Sequence, residues 1–133
     1  MNDIDPELVR YSPVLVVDAD VAAATDLVRR LQSRGFAADV AISATAAKAA
    51  AHAKHYRSLI LALDPESASD LACLASLRSK LPSTWIIVIG ADAHQDSLSP
   101  TLRHCADALL ARHFSLDELI FRLAAFAHRP RPP

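Results

Sequence analysis

The chain has 133 residues, with 14 Lys and Arg against 15 Asp and Glu for a formal charge of −1, and is 52% hydrophobic but only 5% aromatic. That length suits one domain with an aliphatic, alanine-rich core, and the charge balance gives no electrostatic footprint for nucleic acid or an anionic membrane. Cys73 and Cys105 lack CxxC spacing, no apolar run reaches about 18 residues, and the acidic start MNDIDPELVR is unlike a signal peptide, so a cytoplasmic protein is expected, and a disulfide scaffold and a membrane span are disfavoured.

Apolar runs alternate with helical patterns along the chain. Pro13-Val-Leu-Val-Val17 predicts a strand buried on both faces and ending at Asp18. Asp20 can cap a helix to Arg34, with Val21, Ala24, Leu27, Val28 and Leu31 on one stripe and Gly35 as its C′ residue. Phe36 to Ile42 predicts a second strand, and Ser43 can cap an alanine-rich helix to about Lys54. Leu59-Ile-Leu-Ala-Leu63 is the third strand, stopped by Asp64-Pro65. Asp70 to Lys80 is helical, with Leu71, Leu74 and Leu77 inward and Cys73 expected as a small core residue.

Trp85-Ile-Ile-Val-Ile89 is the fourth strand, followed by Gly90. A weak helix from His94 to Cys105 is expected to be bent or shortened by Pro100. Ala108-Leu-Leu-Ala111 is a short fifth strand, and Ser115 with Glu118 makes a capping box for a last helix with Leu119, Leu123 and Phe126 inward. The division expected is an N-terminal extension at 1–12, a domain at 13–128 and a proline-rich tail or linker at 129–133. Five strands alternating with helices imply an α/β fold with a parallel sheet covered on both faces, whose functional groups gather at the C-terminal strand ends. Those ends carry Asp18, Asp64, Gly90 and Arg112.

Val14-Leu-Val-Val-Asp18, Ala106-Asp107, and Phe114-Ser-Leu-Asp-Glu-Leu119 with Arg122 together resemble the receiver domain of response regulators, a CheY-like module of two-component systems. The last of these marks is similar to the winged-helix, OmpR/PhoB-like class. The resemblance implies a flavodoxin-like sheet of order 2-1-3-4-5 and a phosphoacceptor aspartate ending the third strand. It also implies acidic residues holding Mg²⁺ after the first strand, a Thr or Ser after the fourth, a Lys after the fifth and an aromatic switch on the fifth.

Most of that set is replaced. Tyr56-Arg-Ser-Leu-Ile-Leu-Ala-Leu aligns without gaps and puts Ala62 at the acceptor position, and the acidic pair reads Asp18-Ala19. Gly90 stands for the hydroxyl residue, Arg112 for the lysine and Leu109 for the aromatic. These losses imply an atypical receiver, not an enzyme, that signals without phosphorylation by binding a protein partner. The alternatives are an Mg²⁺-dependent acceptor at Asp64, or the N-terminal regulatory domain of a longer transcriptional regulator. Asp18, Asp20 and Asp64 are the candidate metal ligands, with no other cofactor expected. Arg112 is a candidate anion ligand or a neutralising partner for Asp18. His52 with His55, and His104 with Cys105, are weak ligand patterns. The resemblance also places Asp107, Glu118 and Arg122 on a homodimer face built from the fourth helix, fifth strand and fifth helix.

Overall fold

The computed structural model describes residues 13–90 and 99–133. Its strands are β1 (Val14–Val17), β2 (Ala38–Ala41), β3 (Ser58–Ala62), β4 (Trp85–Ile89) and β5 (Ala108–Leu110). They alternate with helices α1 (Val21–Ser33), α2 (Ala44–Ala53), α3 (Ala68–Lys80), α4 (Pro100–Cys105) and α5 (Leu116–Ala127). All pairings are parallel and the order is β2-β1-β3-β4-β5. This is the flavodoxin-like order expected from the resemblance.

Each helix begins on a short polar side chain that accepts a backbone N–H three residues on: Asp20, Ser43, Ser67, Ser99 and Ser115. Such caps satisfy donors that a helix start leaves unpaired. Gly35 follows α1 at φ 93°, in the left-handed region that closes a helix. The helix expected from Asp70 starts two residues earlier, at Ala68, because Ser67 caps it, and Asp70 in the first turn accepts the Asp64 N–H at 2.8 Å. Pro100 opens α4 in its first turn, where no N–H is missed, so the described helix is the short Pro100–Cys105, in line with the shortening expected of Pro100. The expected start at His94 lies outside the described residues.

Alternation along the strands divides the core in two. Val14, Val16, Ile60, Ile87 and Ile89 pack under α1 and α5 with Val28, Leu31, Leu119, Leu123 and Phe126. Leu15, Val17, Leu59, Leu61, Ile86 and Val88 pack under α2, α3 and α4 with Ala47, Leu74, Leu77, Leu102 and Cys105. Leu74 and Leu77 are fully buried, each contributing about 1.5–3 kcal/mol of transfer free energy. Val21, at the first position of α1, and Cys73 are exposed, contrary to expectation. One residue is about 100° around a helix, so with Leu74 and Leu77 inward Cys73 turns to solvent.

The chain after α5 lies against the foot of the sheet. The Trp85 indole N–H donates to the Arg129 carbonyl at 3.1 Å, and the Trp85 ring stacks on Phe126 with centroids 4.3 Å apart. Arg131 Nε donates to Asp107 Oδ1 and Oδ2 at 2.9 and 3.0 Å.

Candidate functional site

At the C-terminal strand ends a cleft of about 810 Å³ is lined by Asp18, Ala19, Asp20, Ala62, Asp64, Gly90 and Arg112. Its floor is apolar, with Val16, Ile60 and Ile89, and Phe114 stands at its side. Leu109 is not part of it. That residue is half-buried on β5 and packs toward the α2, α3 and α4 side of the sheet.

Ala62 ends β3 opposite Ile89 of β4, and its methyl group offers neither a nucleophile nor a ligand. Asp64 is exposed two residues further on, where Pro65 turns the chain away from the sheet. Its Oδ1 accepts the Glu66 N–H at 2.9 Å, its carbonyl accepts the Ser67 N–H at 3.0 Å, and its own N–H donates to Asp70. Asp64 is thus the first residue of a self-bonded turn leading into the α3 cap.

Asp18 follows β1, and its Oδ1 accepts the Asp20 N–H at 2.9 Å; Asp20 Oδ1 in turn accepts the Ala23 N–H at 3.1 Å. Each of the three carboxylates therefore serves backbone donors close to it in sequence. Among the described residues no three His, Cys, Asp or Glu side chains are placed to hold a metal ion. The expected set of Asp18, Asp20 and Asp64 is not such a group, and each of the three holds a local backbone N–H. His52, His55 and His104 are exposed and belong to no such group.

Gly90 is buried at φ 121°, with its N–H on the Leu110 carbonyl at 3.1 Å. The Leu63 carbonyl fills the space where its side chain would start: a Cβ there would lie 2.2 Å from that oxygen. The backbone of the β3–α3 turn thus occupies the place of a hydroxyl side chain. Arg112 is exposed after β5, lining the same cleft as Asp18.

No family model matches the chain. It is 28% identical over 119 residues to the transcriptional regulatory protein BasR of Escherichia coli K12, covering 87% of this chain and 52% of that protein, about half its length. The receiver domain of Francisella response regulator 1452 superposes with a TM-score of 0.75 at 24% identity, over 89% of this chain and 98% of that one. The Thermotoga maritima response regulator TrrA, solved with Mg²⁺ and BeF, gives a TM-score of 0.72 at 25% identity over 86% and 98% of the chains. The chain has the receiver fold of the response regulators.

Of the three residues expected on a dimer face, Glu118 and Arg122 are exposed on α5 beside Phe121, which is 72% exposed. Asp107 differs. Its side chain is 13% exposed and bonds Arg78 at 3.1 Å, Arg131, and the Ile86 N–H at 2.8 Å. Sequence reasoning did not single out Arg78, Trp85 or Arg131 as a unit, because they are far apart in sequence and only the sheet joins them. No helix of the described residues is long and apolar enough to cross a membrane.

Proposed function

We propose that this chain is a receiver domain that signals without a phosphoryl group, through contacts with protein partners in the cytoplasm. One observation carries the reading. The residue that ends β3 in the cleft is Ala62, and the nearest following carboxylate, Asp64, is tied into its own turn. Phosphoryl transfer to a carboxylate needs an aligned oxygen together with cations that neutralise the developing charge. Here the carboxylates bond local amides instead. Any change of conformation must then come from a partner that binds one state better than another.

The surface most suited to such a partner is the outer side of α5, where the exposed Phe121 lies beside the i,i+4 pair of Glu118 and Arg122. A large exposed aromatic side chain with charged neighbours suits an interface. A second copy of the chain, meeting this surface across a two-fold axis, is the partner proposed. The match to about half of BasR supports placement as the regulatory part of a longer transcriptional regulator.

Intact-mass analysis after incubation with acetyl phosphate and Mg²⁺ tests the reading, with a competent receiver labelled in parallel. The expected result is no phosphoryl-sized gain. A gain that disappears in Asp64→Ala would overturn it and make Asp64 a displaced acceptor, the one rival that the cleft favours, since Asp64 lines it.

A further inference from the structure

The opposite end of the sheet holds a second built site. Arg78 of α3 is 11% exposed and donates to the carbonyls of Leu81 at 2.5 Å, Thr84 at 2.6 Å and Cys105 at 3.4 Å, besides Asp107. Four acceptors make it a fixed part of the foot. Arg131 is held differently: its Nε straddles both Asp107 oxygens, and its NH1 reaches the Pro82 carbonyl at 2.7 Å. Two residues earlier the Arg129 carbonyl accepts the Trp85 indole N–H, and the Arg129 guanidinium lies 5.8 Å from the Trp85 ring centre.

Three kinds of recognition therefore act on one short segment: a carboxylate for a guanidinium, an indole N–H for a peptide carbonyl, and an aromatic face for a second guanidinium. Pro130 between the arginines favours the extended backbone that presents them. One carboxylate faces two guanidiniums, and burial together with the charge of Arg131 lowers the Arg78 pKa from the usual arginine value. Arg78 is held by three backbone carbonyls of the domain, whereas the only domain carbonyl that Arg131 reaches is that of Pro82, its other being Pro132 of the tail itself.

We propose that the foot of β4 and β5 is a docking site for an extended Arg-x-Arg segment of a partner protein, held shut by the chain's own Arg129 to Arg131. The site is distinct from the cleft and independent of its chemistry. A partner engages it by displacing the tail, and the displaced tail is then freed from the domain. The sequence has a single tryptophan, so Trp85 reports the exchange directly.

The test uses a labelled peptide of the sequence His-Arg-Pro-Arg-Pro-Pro and the full chain. A segment tethered in cis competes at an effective concentration on the order of millimolar. The peptide is therefore expected to bind Arg129→Ala/Arg131→Ala protein saturably, and at least about tenfold tighter than wild type. Adding Asp107→Asn to that double variant should abolish binding. Should that triple variant fail to fold, Trp85→Phe in the same background keeps the ring stack, loses the indole N–H, and should weaken binding several-fold. No binding to the double variant, or binding undiminished by these added substitutions, overturns the proposal.

Discussion

Gly90 and Leu63 approach so closely that a Cβ on Gly90 would stand 2.2 Å from the Leu63 carbonyl oxygen. Gly90 also holds φ 121°, a conformation unfavourable for side-chain-bearing residues. Replacing Gly90 by Ser should cost at least about 2 kcal/mol, from backbone strain and a forced shift of the β3–α3 turn. Urea unfolding at neutral pH measures it. A Gly90→Ser protein as stable as wild type would mean that the turn moves freely.

The same contact bears on restoring the acceptor. Ala62→Asp supplies a carboxylate at the end of β3, but the hydroxyl position is filled by backbone, and Asp18 and Asp20 each hold a local backbone N–H. Ala62→Asp alone is expected to gain no phosphoryl mass from acetyl phosphate and Mg²⁺. Labelling comparable to a competent receiver would show that one side chain was all the cleft lacked.

Much of this was legible in the sequence because the strands of a doubly covered parallel sheet are continuous apolar runs. Val14 to Val17 and Trp85 to Ile89 could be placed in no other way, and Ser43 and Ser115 marked their helix starts. The composition of the cleft was legible too, since strand ends converge in this architecture. What could not be read was the use of each side chain there. Asp18, Asp20 and Asp64 suggest a cation site when read as three carboxylates, yet each bonds a backbone N–H two or three residues away. Local amides compete for short acidic side chains wherever a turn precedes a helix. The Arg78, Asp107 and Arg131 network escaped for the opposite reason, being wholly long-range.

That network separates a buried ion pair from a surface one. Asp107 joins two arginines and the Ile86 N–H at 13% exposure, whereas Asp39 and Lys54, 3.2 Å apart, are about half exposed. Removing one partner of a buried pair leaves an uncompensated charge, while a surface pair is screened by water. Asp107→Ala should lose about 3–5 kcal/mol of stability. Lys54→Ala should lose less than about 1 kcal/mol. Equal losses in urea titrations would refute the distinction.

Ser58 gives a prediction of opposite sign. It is 1% exposed at the start of β3, and its hydroxyl has no hydrogen-bond partner among the described residues. An unsatisfied buried hydroxyl carries a desolvation penalty that alanine lacks, at nearly the same volume. Ser58→Ala should raise stability by roughly 1 kcal/mol, seen as a higher urea midpoint with an unchanged slope. A lower midpoint would mean that the hydroxyl is bonded after all.

Tyr56 supplies a pH dependence. Burial, and then the Asp39 carboxylate that accepts its hydroxyl at 2.7 Å, raise its pKa from 10.0 to about 12. The same hydrogen bond, opposed by burial and helped by Lys54, holds Asp39 below its ordinary value of 3.8. For a raised phenol the folded state keeps its proton where the unfolded chain has lost it. The contribution is full below pH 10 and is lost as pH rises toward 12. One pH unit above the unfolded value corresponds to about 1.4 kcal/mol, so wild type should lose about that much between pH 9 and pH 11 through Tyr56 alone. Tyr56→Phe removes the group, and its stability should fall less over the same interval by that difference. At the acid end the sign reverses: Asp39 stabilises the fold above its unfolded pKa and ceases to do so as pH falls through its lowered folded value. Parallel slopes for wild type and Tyr56→Phe between pH 9 and pH 11 would show that the phenol is no harder to ionise in the fold than outside it.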